Sequence, residues 1–151
     1  MFHKDTRTPR ARFKQIARLR ALAGFAQVFA APGFRFVCAG TGDSHGHEED
    51  REQTCELSPD ALSFIDALYK SGWVKSFDWA NWVETADGKQ FLEEPQHIST
   101  ATPDQLQKVL TVLIRRERFC ERTLNSAFEA GLLTAILHRA QVLLSADAAA
   151  E

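Results

Sequence analysis

At 151 residues and 16.9 kDa, with 44% hydrophobic and 25% charged residues, the chain has the size of one domain and enough apolar material for a core, which excludes global disorder. Eighteen basic against twenty acidic residues leave a formal charge of −2, so no whole-chain attraction to nucleic acid or to a membrane surface exists. Cys38, Cys55 and Cys120 have unrelated spacings that argue against a disulfide framework, and no apolar run reaches the roughly 18 residues of a membrane span. The expectation is a single cytoplasmic domain over residues 1–151, with 1–7 and 146–151 frayed.

Charge is segregated along the chain. Lys4, Arg7, Arg10, Arg12, Lys14, Arg18 and Arg20 face only Asp5 in the first twenty residues, whereas Asp43, Glu48, Glu49, Asp50, Glu52, Glu56 and Asp60 face only Arg51 in residues 43–60. The first helix is expected to start at Thr8-Pro9, a cap followed by a proline whose missing N–H costs nothing there. Phe13, Ile16, Ala17, Leu19, Ala23, Ala26 and Phe29 recur at helical spacing and are read as its buried face, with Pro32-Gly33 ending it.

Phe34 to Ala39 alternates aromatics with charge and reads as a strand. Turn formers follow from Gly40, and Thr54 to Leu57 reads as the returning strand of a small β-hairpin with a long loop over 40–54. Ser58-Pro59 repeats the cap-then-proline signal, Leu62, Ile65, Leu68 and Tyr69 form an apolar stripe, and Ser71-Gly72 closes that helix. Trp73, Trp79 and Trp82 fall within ten residues; Asp78 or Ser76 caps a short helix from Trp79, and a second short piece is expected over Lys89 to Glu94. Thr102-Pro103-Asp104-Gln105 is a capping box, opening a helix whose stripe is Leu106, Val109, Leu110, Leu113 and Ile114. A helix is expected over Cys120 to Glu129 and a final, central one from Leu132 after Gly131. The fold class is therefore mostly α with an α+β flavour: a compact bundle of five to six helices with a two-stranded hairpin.

Several of these residues also carry a resemblance. Arg118-Phe119-Cys120-Glu121, Leu124, Phe128-Glu129, Gly131-Leu132 and Ala135-Ile136-Leu137, with Phe64-Ile65, Leu68-Tyr69, Gly72-Trp73-Val74, Phe77-Asp78-Trp79 and Trp82, are similar to an uncharacterised bacterial family, domain of unknown function 6508. The resemblance covers about residues 14–144 and departs at Arg122, where a glycine is expected, and at Ala130, where a serine is expected. It implies a bacterial or mobile-element origin and a shared fold, and no activity.

Four constellations are candidates for function. His45 and His47, beside Glu48, Glu49 and Asp50 and flanked by Cys38 and Cys55, form the one clustered ligand set, but the gaps from Cys to His exceed those of zinc sites, and a solvated loop is the favoured reading. Glu121 and Glu129 lie about two helical turns apart and would share a face, either for acid–base chemistry or paired with Arg115, Arg118, Arg122 or Arg139 as a structural corner. Trp79 and Trp82 are three apart on one face and suit either core packing or a protein partner. Arg10, Lys14 and Arg18 line one side of the first helix, where phosphate contact competes with simple solvation, and no DNA- or RNA-binding signature accompanies them. No nucleophile elbow, P-loop or zincin motif occurs, and Cys120 with His138 is weaker than a buried thiol. The leading expectation is a non-catalytic adaptor or inhibitor binding a protein partner through Trp79, Trp82, Arg118, Glu121, Glu129, Arg10, Lys14 and Arg18, with homodimerisation open. An anti-defence role rests on the resemblance alone. A small enzyme using Glu121 and Glu129 and a nucleic-acid regulator using the basic helix are the alternatives; no cofactor is expected.

Overall fold

Helix starts in this chain are set by short polar side chains that satisfy otherwise orphaned N–H groups. A computed structural model describes residues 9–38, 56–118 and 122–149, and these are mostly helical. The Ser58 hydroxyl accepts from the Ala61 N–H at 3.1 Å and opens α3, Pro59–Lys70. Thr102 and Gln105 exchange the two bonds of the capping box, at 3.2 and 2.9 Å, and open α6, Pro103–Glu117. Asp78 caps the four-residue α4, Trp79–Trp82. Thr85 caps α5, Ala86–Glu93, through the Gly88 N–H at 3.0 Å, so this helix starts three residues before the Lys89 expected from sequence. A 3₁₀ turn, Pro95–Thr100, joins α5 to α6.

Helix ends depend on backbone that can turn left-handed. Gly72 lies at φ +83, its N–H bonds the Tyr69 carbonyl at 3.3 Å, and the Trp73 N–H bonds the Leu68 carbonyl at 2.9 Å. That pair of bonds is the Schellman motif. It turns the chain so that Trp73, fully buried, follows Leu68 into the core. Gly131, at φ +86, likewise ends α7, Thr123–Glu129, and the chain re-enters α8, Leu132–Ala149, after a bend of 72°. No single helix among the described residues is long and apolar enough to cross a membrane.

The expected first helix is broken in two. α1, Pro9–Ala23, stops at exposed Gly24, and α2, Phe25–Ala30, follows with no side-chain cap. Glycine has the largest backbone entropy to lose, so it is a cheap place to interrupt a helix. The buried face also differs from the periodic reading. Leu19 and Leu22 are buried on α1, whereas Ala17 is exposed and Phe13 is 74% exposed. On α3 the buried stripe is Ala61, Phe64 and Leu68, and Leu62 and Tyr69 are exposed. In both helices two apolar stripes were available, and packing chose one: α1 turns Leu19 and Leu22 into the core and packs chiefly on α8, and α3 turns Phe64 toward Phe25 and Phe29.

The hairpin is corrected to much less. Among the described residues the only β-structure is a two-residue antiparallel ladder, Val37 opposite Leu57 and Cys38 opposite Glu56, and no β-hairpin is supported as an element. Residues 39–55, assigned to its loop and strand ends, lie outside the described residues. Phe34 and Phe36, read as strand side chains, instead pack into the aromatic cluster. The frayed segment expected at 146–151 is also shorter, because α8 runs to Ala149.

The buried apolar residues form one continuous core. In it six phenylalanines from four stretches of chain converge: Phe29 meets Phe64 at 5.0 Å, Phe34 at 4.8 Å and Phe128 at 5.7 Å, and Phe25 and Phe36 complete the group. Edge-to-face geometry predominates, as the ring quadrupole favours. Leu106, Val109, Leu110, Leu113 and Ile114 of α6 and Leu132, Leu133, Ile136, Leu137 and Ala140 of α8 are buried in the same core. α8 packs against α1, α2, α6, α7 and the 3₁₀ turn, the central position its apolar circumference implies. Arg139 ties it down by donating from Nε to the Ala101 carbonyl at 2.8 Å.

Candidate interaction surface

Arg18 does not lie free along the basic helix. Its guanidinium carbon sits 4.4 Å from the centre of the Trp73 ring, and the Trp73 indole N–H donates to the Arg18 carbonyl at 2.9 Å. Burial holds this guanidinium below its ordinary pKa, and attraction to Asp104 acts in the opposite sense. The same tryptophan is anchored from α6. The Thr111 hydroxyl donates to the Trp73 carbonyl at 3.2 Å and accepts from Gln107 Nε2 at 2.9 Å and the Lys75 N–H at 3.2 Å. Thr111 is thereby saturated in a buried position, as a buried hydroxyl must be. Arg18 and Trp73 belong to the scaffold.

One face of α1 points outward. Arg10, Phe13, Lys14, Ala17 and Arg20 are all exposed and recur at three- and four-residue steps, so they form one stripe. Arg10, Lys14 and Arg20 form no ion pair with any described residue. α1 contains five basic residues and no acidic one.

The tryptophan pair divides. Trp82 packs against the core and meets Phe77 edge-on at 6.2 Å, while Trp79 is half-buried at the start of α4. Acidic groups surround this end of the molecule: Asp78, Glu84, Asp87, Glu93 and Glu94 are all exposed. Lys89 is the single basic residue between positions 78 and 94, and it reaches Glu84 at 3.8 Å. The molecule thus carries exposed cations beside Phe13 on α1 and five exposed carboxylates over residues 78–94, which include α4 and α5. Sequence reading identified the tryptophan but assigned Phe13 to the core. Nothing in the helical period distinguishes an outward phenylalanine from an inward one.

The other candidates are placed less favourably. Arg118 is exposed, with one terminal nitrogen 3.4 Å from the Tyr69 hydroxyl. Glu129 is exposed and accepts from Asn125 Nδ2 at 3.3 Å. Glu121 and Cys120 lie outside the described residues, as do His45 and His47, and His138 is exposed. Among the described residues no group of three or more histidine, cysteine, aspartate or glutamate side chains could hold a metal ion.

Comparison with protein-family models matches residues 15–146 to a family of unknown function, DUF6508. The chain belongs to that family. Neither the comparison with curated proteins nor that with solved structures finds a match. Membership of DUF6508 establishes kinship across nearly the whole fold and brings no activity with it.

One departure from the DUF6508 resemblance acquires a physical meaning here. Arg122, standing where a glycine is expected, adopts φ +74 and ψ +9 immediately before α7. That region costs an L-residue about 1–2 kcal/mol and costs glycine almost nothing. The turn is kept without the residue that suits it. Arg122→Gly is expected to raise stability by about 1 kcal/mol in urea unfolding followed by circular dichroism. A lower midpoint would show instead that the arginine side chain holds the corner.

Proposed function

We propose that this chain is a non-catalytic protein-interaction module of the bacterial cytoplasm. The observation that carries the reading is the pair of opposite surfaces, each with an aromatic residue in its midst: Arg10, Phe13, Lys14 and Arg20 on α1, and Asp78, Trp79, Glu84, Asp87, Glu93 and Glu94 on α4 and α5. A phenylalanine exposed by 74% on the same face as Arg10, Lys14 and Arg20 is a poor contributor to folding and a good anchor for a partner. Aromatic anchors supply contact energy, and the surrounding charge selects and steers an acidic protein. A cysteine pattern without a disulfide framework supports an intracellular setting, and the bacterial origin is what the family resemblance implies.

The test is affinity capture from a native host with three versions of the chain: wild type, the Phe13→Ala/Arg10→Glu/Lys14→Glu triple variant, and Trp79→Ala. These side chains are wholly or partly exposed, so the variants are expected to keep the fold, with unfolding midpoints close to wild type. Loss of a specific captured protein in either variant is the expected result. Identical captured sets from all three would sink the interaction reading. Binding of DNA or RNA that depends on Arg10 and Lys14 and falls steeply with salt would replace it with the nucleic-acid reading.

A further inference from the structure

We infer that the acidic partner of α1 is a second copy of this chain, with the cationic stripe of each copy seated on the α4–α5 surface of the other. This rests on the interaction reading above and names its partner. The argument is complementarity within one molecule. α1 bears exposed Arg10, Lys14 and Arg20 and no carboxylate, while residues 78–94 bear five exposed carboxylates and one lysine. Each surface also offers an aromatic, exposed Phe13 on one and half-buried Trp79 on the other. The two surfaces stand on different supports: α1 packs on α8, α2 and α3, and α4 and α5 pack on α6 and the 3₁₀ turn. Arg10, Lys14, Arg20 and Glu93 form no ion pair among the described residues.

Two-fold symmetry lets each copy give its basic stripe and receive the other's, so every contact is made twice. A closed pair of this kind satisfies both patches, whereas a lone copy leaves both in water. The charges set register and encounter rate, and Phe13 and Trp79 act as the anchors. Because the paired charges lie at the surface, the association is expected to weaken as salt shortens the screening length.

The experiment is sedimentation velocity on the full chain at low and high salt, using wild type, Arg10→Glu/Lys14→Glu and Glu93→Lys/Glu94→Lys. Wild type is expected to sediment as a dimer at low salt and to shift toward monomer at high salt. Each charge-reversed variant alone is expected to be monomeric, because it sets like charges against each other. Mixed in equal amounts, the two variants are expected to regain the dimer, since reversal on both sides restores opposite charge at both contacts. A wild type that stays monomeric at low salt, or a dimer that both reversals leave unchanged, overturns the inference. If α1-dependent capture of a different protein persists alongside a monomeric wild type, only the identity of the partner falls and the interaction reading stands.

Discussion

Replacing Trp73 by alanine is expected to cost about 3–5 kcal/mol, the range for deleting a fully buried large aromatic. The residue is 0% exposed, and its role exceeds its volume. Its indole N–H holds the Arg18 carbonyl of α1, its ring lies under the Arg18 guanidinium, and its carbonyl accepts from Thr111 of α6. Three segments distant in sequence meet at one side chain. Alanine would open a cavity and leave the half-buried Arg18 cation without its ring. Trp73→Phe keeps most of the packing and forfeits the N–H bond, so a smaller loss of about 1–2 kcal/mol is expected. Urea unfolding followed by circular dichroism measures both. Equal losses for the two variants would show that the hydrogen bond, and not the ring volume, dominates.

Gly88→Ala is expected to destabilise by about 3 kcal/mol, at the upper end of overpacking effects. An added Cβ would lie 2.1 Å from the Trp82 carbonyl oxygen and 2.9 Å from its carbon, both backbone atoms that no rotamer change can move. The Gly88 N–H is also the group that Thr85 caps at 3.0 Å. Relief therefore requires α5 to slide off the end of α4, which breaks the cap as well. For a chain of this size the loss corresponds to a fall of roughly 6–12 °C in Tm. A melting temperature within a degree or two of wild type would show that α5 docks against α4 less closely than described. The effect is opposite in sign to that expected for Arg122→Gly, although both concern the same residue type. Glycine is required at 88 for space and favoured at 122 for backbone angle.

Local chemistry was legible in the chain wherever a single residue type has a single job. Ser58, Asp78 and Thr102 cap the helices they were expected to cap, and Gly72 and Gly131 end the helices they were expected to end. The stripe of α6 is buried at every position assigned to it. Thr85 was overlooked although its signal is local: its hydroxyl accepts from the Gly88 N–H and donates to the Trp82 carbonyl, each three residues away. The phenylalanine cluster was not anticipated. Phe25, Phe29, Phe34, Phe36, Phe64 and Phe128 are spread over a hundred residues, and no local period reveals that they meet.

The candidate surface was half legible. Arg10, Lys14 and Trp79 were named from charge and aromatic clustering and are exposed or half-buried where described. Arg18 was named with them by the same spacing, yet its guanidinium is committed to Trp73. A helical repeat places residues on a face to within about a hundred degrees, and Arg18 and Phe13 fall on opposite edges of that uncertainty.

Caps, chain reversals and the two strongest oil stripes follow from amino-acid order alone, because each depends on hydrogen bonds and backbone angles within four residues. Which of two apolar faces turns inward on α1 and α3, which cation is absorbed into the core, and which aromatic is left exposed were decided by the fold. Those outcomes depend on burial against segments distant in sequence, and the energy of burial belongs to the pair of surfaces and to neither one separately.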